Sequence, residues 1–245
     1  MTQRGSRPRV TLKLATSLDG RIATASGESK WITGEAAREQ VHRLRAQHQM
    51  ILVGIETVLA DDPELTVRLP GFVGIQPMRV VLDSRQRLPL DSKLAASARR
   101  IPTVVVTTRE PRPDLLVAGV VALRVGEKEG RPDPAEALAA AQAEAGRRLA
   151  IALADLAPQH RAGPAEPLVE SLAVMVEGGG QVAASFLAAD LVDAIEWFRA
   201  PIVLGDEGRP AVGAFVLKDL AAAPRFRRVA VEPLGDDLWE RYERA

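Results

Sequence analysis

The most constraining stretch of this chain runs from Leu172 to Ala189, LAVMVEGGGQVAASFLAA. Residues 172–176 are too few for a helix, and they lead straight into Glu177, Gly178, Gly179 and Gly180. A short apolar run closed by glycine reads as a buried strand, and a helical pattern follows from about Val182 to Ala189. A strand that turns at once into a helix belongs to a sheet with helices packed on its faces. The turn also presents backbone N–H groups at a positive helix end, which suits phosphate. The plain alternative is a tight turn with no ligand. The run is neither the dinucleotide fingerprint GxGxxG nor a P-loop, since no Gly-Lys-Ser/Thr follows. Glu177 would stand at the carboxyl end of a strand, where open α/β sheets take ligands.

The rest of the chain repeats the alternation. Strands are expected at Arg9–Ala15, Met50–Val53, Met78–Leu82, Pro102–Val106 and Gly119–Val125. A helix is expected over 34–48, with Ala37, Val41 and Leu44 at helical spacing and Thr33 as its N-cap. Ala194–Leu204, Phe215–Leu217, Phe226–Val231 and Leu238–Tyr242 read as late strands. With no helices between them they predict an antiparallel C-terminal hairpin. The fold class is therefore α/β, a mixed, mostly parallel central sheet flanked by helices. Between 130 and 171 an alanine-rich helical pattern gives way to HRAGPAEP. We read one domain over 1–245 with an elaborated connection there.

Composition removes several classes. There is no cysteine, hence no disulfide scaffold, zinc finger, iron–sulfur centre or thiol nucleophile. His42, His48 and His160 are the only histidines, and no metal site is expected. Thirty-two basic residues balance 32 acidic ones, so neither nucleic acid nor an anionic membrane is an expected partner. MTQRGSRPR is charged and no apolar stretch follows it, and we expect a cytoplasmic protein.

Several residues invite chemistry. Lys13 interrupts the first strand and alternates with Leu12 and Leu14, so it faces the side opposite to them. Under a cleft it would orient a hydroxyl or polarise a C=N bond; facing water it would be a surface residue. Trp31 lies in the loop SGESKWIT, where it is either an aromatic wall for a flat ring or a core anchor. In LADDPELTVR, Pro63 forces Asp62 out of the helical region and stops a short helix at the acidic pair. Arg45 and Arg68 are candidate phosphate forks.

Taken together, LKLATSLDGRIATASGESKWIT, LRAQ, VGIETVLADDPELTVR, RVVLDS, VEGGGQVAASFL, LVDAI and APIVLG resemble one family in order. That family is the pyrimidine reductase domain of riboflavin biosynthesis. The resemblance implies a fold like dihydrofolate reductase, usually a homodimer. It also implies NADPH-dependent reduction of the ribosyl group of 5-amino-6-(5-phosphoribosylamino)uracil to ribityl. By position, Ala15, Trp31, Thr57, Asp61 and Ser84 match cofactor contacts. So do Gly179, Gly180, Gln181, Val182, Ala183, Ala184 and Ser185. Ser29, Arg45, Leu65, Arg68 and Glu177 match substrate contacts, with the arginines near the ribose phosphate. Lys13 matches a lysine close to the reacting sugar, which makes Lys13 and Glu177 the expected catalytic pair. Many bacteria fuse this reductase behind a zinc deaminase with H-x-E and P-C-x-x-C patterns. Without cysteine, this chain is expected to carry no such deaminase.

The implied chemistry is hydride transfer to C1′ of a ring-opened imine, with Lys13 assisting the proton inventory. Glu177 would hold the uracil amide edge, and Trp31 would pack on the nicotinamide side. Arg85 and Arg87 would favour a 2′-phosphate. Two alternatives stand beside this: a reductase of the same fold acting on dihydrofolate or another pteridine, and a catalytically silent partner of a separate deaminase.

Overall fold

A computed structural model describes residues 7–156 and 172–245, excluding the side chains of 152–156. The expected HRAGPAEP loop lies outside the described residues. The first strand, β1 (Arg9–Thr16), does alternate. Val10, Leu12 and Leu14 enter one hydrophobic cluster, while Ala15 packs against another. A short β2 (Arg21–Ala23) and the loop holding Trp31 lead to α1 (Glu35–Ala46). Next come β3 (Met50–Gly54), α2 (Ile55–Asp61), β4 (Met78–Leu82), α3 (Lys93–Ala96), β5 (Thr103–Thr107), α4 (Pro113–Val117) and β6 (Val121–Arg124). The small pair β7 (Glu127–Lys128) and β8 (Arg131–Pro132) precedes α5 (Pro134–Leu156). The glycine stretch follows as β9 (Ala173–Val176) and α6 (Gly180–Ala188). The chain closes with β10 (Ala194–Arg199), β11 (Arg209–Pro210), β12 (Phe226–Leu234) and β13 (Asp237–Arg244).

Among the described residues, nine strands form one sheet in the order β12-β13-β10-β1-β9-β3-β4-β5-β6. The seven from β10 to β6 are parallel, and β13 and β12 add the antiparallel hairpin. The expected mixed, mostly parallel α/β sheet is the observed one. β3, β4 and β5 are covered on both faces, which is why they read as largely apolar runs, broken in β4 by the buried Arg79. Ala37, Val41 and Leu44 of α1 pack on one face with Ile55 and Val58 of α2, Leu94 of α3 and Leu115 of α4. Ala137, Leu138, Ala141 and Ala145 of α5 pack on the other with Val182, Ala183, Phe186 and Leu187 of α6. α5 is thus a core helix: burying a leucine such as Leu138 contributes about 1.5–3 kcal/mol.

The structure corrects three boundary readings. Thr33 is not the N-cap of α1; Gly34 is, with no side-chain cap of its own. The carboxylate of Asp237, at the tip of the β12–β13 hairpin, accepts the Gly34 N–H at 2.7 Å instead. The strand expected over 194–204 ends at Arg199, because Pro201 lacks the N–H that a central ladder needs. Phe215–Leu217 forms no strand. α3, α4, β2 and the pairs β7–β8 and β2–β11 carry too few residues to leave a period, and the sequence did not announce them.

Candidate active site

The parallel strands end on one rim, and the side chains of interest gather just below it. Leu12 pairs with Val176, and both belong to the cluster on the α5–α6 face. The next residue on each strand, Lys13 and Glu177, therefore points to the other face, toward α1. The Glu177 N–H continues the ladder onto Leu52 O at 2.9 Å, which fixes the carboxylate at the strand end. Arg45, in the last turn of α1, meets it with two parallel bonds, Nε to Oε1 at 2.7 Å and Nη2 to Oε2 at 2.9 Å. Its third nitrogen, Nη1, donates to Thr66 O at 3.0 Å. Neither partner is open to water: the side chains are 11% and 7% exposed.

Burial and charge oppose each other in this trio. Burial alone would push the Glu177 carboxyl up. The Arg45 charge and hydrogen bonds, then Lys13 and His42, outweigh it and hold the group at about 2. Burial pulls the Lys13 ammonium below 10.5, Glu177 works against that fall, and Arg45 adds to it. Lys13 lies 6.0 Å from the ring centroid of Phe198, which stacks on Trp239. A partly buried ammonium beside an ionised carboxylate, with an aromatic floor, is equipped to hold or release a proton at a bound group.

Above the trio lies the glycine turn. A Cβ on Gly180 would come within 2.4 Å of Pro210 O, and one on Gly178 within 2.6 Å of Val182 Cβ. These two glycines are required by close packing. Gly179, the N-cap of α6, has room, its nearest neighbour being Thr57 Oγ1 at 3.9 Å from a Cβ built there. No side chain caps α6. α2 likewise starts from an uncapped glycine, Gly54, on the adjacent strand β3. Ser84 follows β4 at the same rim, its carbonyl accepting from Thr107 and Thr108 hydroxyls. Ala15 shares the Lys13 face one step nearer the rim. Gln181, Val182, Ala183, Ala184 and Ser185 form the first turns of α6; Val182, Ala183 and Ala184 are buried, and Ser185 Oγ donates back to Val182 O.

The short helix stops at the acidic pair, as the proline predicts, although Asp62 leaves it by the left-handed region and not the extended one that a following proline favours. α2 ends at Asp61, and Asp62 has φ 40°. Asp62 Oδ1 accepts the Lys93 N–H at 2.9 Å and so helps start α3. Leu65 also has positive φ, 54°, unusual for a branched side chain, with its side chain in the core. The segment then passes under α1. Thr66 O reaches Arg45, and the Arg68 guanidinium, 53% exposed, leans toward Thr66 Oγ1 and Glu64 at 3.4 Å each.

Arg45 and Arg68 thus meet at Thr66, and Arg45 in turn joins Glu177, whose charge reaches Lys13. Thr57, Ser84 and the glycine turn share the rim. Trp31 is 70% exposed, which disposes of the core-anchor alternative, and its ring carries Arg38 at 4.4 Å. Ser29 lies in the same loop, its carbonyl accepting the Ile32 N–H. Asp61 stands at the far end of α2 from Thr57. Arg87 pairs with Glu56 of α2. Two neighbours of the site had no place in the sequence reading of it, His42, weighed there only as a metal ligand, and the Thr66 carbonyl. The spacing of 42 and 45 on one helix face was a legible signal; a backbone carbonyl leaves none. Among the described residues, no cluster of three His, Cys, Asp or Glu could hold a metal ion, and no helix is long and apolar enough to cross a membrane.

An open, mostly parallel sheet with its polar residues outside the carboxyl ends of the strands defines a ligand-binding α/β protein of the doubly covered kind. Within that class, the chain belongs to the RibD C-terminal domain family, which matches residues 8–152 and 169–239. The riboflavin biosynthesis protein RibD of Actinobacillus pleuropneumoniae is 33% identical over 233 residues, covering 95% of this chain and 56% of that protein. The chain spans a little over half the length of such relatives. Acinetobacter baumannii RibD superposes with a TM-score of 0.75 at 32% identity, over 98% of this chain and 59% of that one. A Thermotoga maritima diaminohydroxyphosphoribosylaminopyrimidine deaminase/5-amino-6-(5-phosphoribosylamino)uracil reductase gives 0.71 at 28%, over 98% and 57%. The interval between the two matched stretches, 153–168, falls inside the 130–171 connection.

Proposed function

We propose that this chain is an NADPH-dependent reductase that converts the ribosyl group of 5-amino-6-(5-phosphoribosylamino)uracil into ribityl. The observation that carries it is the Lys13–Glu177–Arg45 trio set beneath an uncapped, glycine-lined helix N-terminus. The Thermotoga relative's reductase activity and the RibD kinship support the same reading. The turn suits a dinucleotide: Gly179 offers a backbone that a phosphate can approach, and Thr57 stands beside it. Gly179, Gly180, Thr57 and Ser84 would hold NADPH, with Arg87 exchanging Glu56 for the 2′-phosphate. Trp31 would cover the nicotinamide side.

When bound, NADPH supplies a hydride, which C1′ of the ring-opened imine accepts. The chain's own work is to align and to manage a proton. Lys13, kept near the sugar by β1, delivers a proton toward the nitrogen that becomes an amine, directly or through water. Glu177 holds the pyrimidine amide edge, and Arg68 takes the ribose phosphate. Arg45 is already committed to Glu177, so its first duty is to orient that carboxylate. Phe198 and Trp239 exclude water beneath Lys13.

We further infer one reductase domain, a homodimer, acting in the cytoplasm. Sedimentation tests the dimer, and a monomer at micromolar concentration would count against it. The function is tested by following NADPH absorbance with the deaminated pyrimidine substrate, with dihydrofolate alongside. Turnover of the pyrimidine alone is expected. No turnover by pure folded protein would refute the assignment, and turnover of dihydrofolate alone would replace it.

A further inference from the structure

His42 has no part in the chemistry above, yet it stands at a junction of the substrate-side segment. It lies one helical turn before Arg45 on α1. Its Nδ1 is 3.1 Å from Thr66 O and 3.2 Å from the Arg68 backbone nitrogen. These neighbours make opposite demands: the carbonyl needs a proton on Nδ1, and the N–H needs the lone pair. Thr66 O already accepts from Arg45. Among the described residues, His42 is the acceptor found for the Arg68 N–H. The rest of the segment is held by other residues. Glu64 O takes Arg79 Nη1 at 3.4 Å, and Gln76 bonds Val67 on both sides at 2.8 and 3.1 Å.

We propose that His42 is a positioning residue for Arg68: its neutral ring, bare at Nδ1, receives the Arg68 N–H and so fixes where the Arg68 guanidinium stands. This rests on the reading that Arg68 takes the substrate's phosphate. A proton on Nδ1 would turn the ring into a donor to Thr66 and release Arg68. The charged groups around the ring mostly oppose that proton. Arg45 on its own helix and Arg68 on the facing segment disfavour it, while the Thr66 carbonyl and then Glu177 from the sheet favour it. Glu64, which faces Arg68, adds a second carboxylate nearby. Burial acts with the arginines, and together they hold the imidazole below 6.5.

Three substitutions separate positioning from simple packing. In H42N an amide oxygen falls near the place of Nδ1, in H42Q near Nε2, and H42A removes both. H42A and H42Q are expected to raise the substrate KM about three- to tenfold, the worth of one hydrogen bond, with kcat little changed. H42N restores most of the loss. As pH falls through the histidine range, wild type should lose kcat/KM more steeply than H42N, in which the substrate phosphate and His48 still titrate but position 42 does not. Equal losses in all three variants, an unchanged KM in H42A, or parallel pH profiles would overturn the proposal. Two readouts do not depend on turnover. Long-range proton–nitrogen NMR of the free protein should find Nδ1 bare and Nε2 protonated, and the opposite tautomer would also overturn it. Ribose 5-phosphate titrated by calorimetry should bind H42A more weakly than H42N. If wild type binds this probe in that order yet turns over no pyrimidine, the reductase assignment fails while the role of His42 stands.

Discussion

Replacing Arg45 by methionine is the most direct test of the trio. Methionine keeps much of the apolar stem but removes the fork that neutralises Glu177. The carboxyl is held at about 2 against an ordinary 4.5. At about 1.36 kcal/mol per pH unit, that depression corresponds to about 3 kcal/mol of stability at neutral pH. Stranding one member of a buried ion pair costs about 3–5 kcal/mol by a separate route, so the two figures agree. Because the folded carboxyl lies lower than the unfolded one, its contribution is complete above pH 4.5 and fades as pH falls toward 2. Urea unfolding of wild type and Arg45→Met at pH 7 and pH 4 measures both quantities. The variant should lose about 3 kcal/mol at pH 7 and less at pH 4, where Glu177 then takes a proton. The double change Arg45→Met with Glu177→Gln should recover part of the loss, since no uncompensated charge stays buried. A loss under about 1 kcal/mol, or the same loss at both pH values, would show that the pair does not carry the energy assigned to it.

Other substitutions probe the remaining parts of the site. Glu177→Gln removes the charge that supports the Lys13 ammonium, so the alkaline limb of the pH–rate profile should move to lower pH; an unmoved limb rules Lys13 out as the titrating group. Lys13→Ala should lower kcat about a hundredfold or more while leaving NADPH binding, read by fluorescence, nearly intact, in line with the worth of a positioned proton donor. Gly180→Ala should cost about 1–3 kcal/mol of stability because its methyl meets Pro210 O, whereas Gly179→Ala should leave the melting temperature nearly unchanged and weaken NADPH; equal melting losses would contradict the division of labour within the turn. Arg87→Gln should cut the preference for NADPH over NADH about tenfold or more, read as a ratio of kcat/KM values, as expected for losing a charged hydrogen bond.

Much of the fold was legible because its central strands are short, apolar and interrupted by helices. β3, β4 and β5 could hardly be anything else once glycine and proline bounded them. Lys13 announced itself as a charge between two leucines of an apolar strand, and its side followed from alternation with Leu12 and Leu14. The pairing of Glu177 with Arg45 was not legible, although both residues were. It depends on where the end of α1 lies against β9, across 132 residues of chain. The cap on α1 failed for the same reason. Thr33 is a sound local choice, but Asp237 arrives from the far hairpin and satisfies the helix first. Trp31 also escaped the usual rule that tryptophans are buried, being held outside by the turn that begins at Ser29 and stacked under Arg38.

The place of β1 in the sheet carries a consequence for how the molecule is made. Thr11 lies between Met175 and Ala194, so β1, the earliest of the described strands, is flanked in the sheet by strands synthesised late. At roughly 5–20 residues per second, its partners leave the ribosome on the order of ten seconds later. Until then Leu12, Leu14 and the lysine between them belong to an unfinished nascent chain with both edges unpaired. The ladders joining β3, β4 and β5 need neither late strand, since those three pair with one another. Lys13 and Glu177 therefore come onto one face late, once β9 and then β10 bracket the waiting strand. A ribosome-stalled chain ending before residue 173 should hold the β3–β5 block protected and the first strand open to a holdase chaperone.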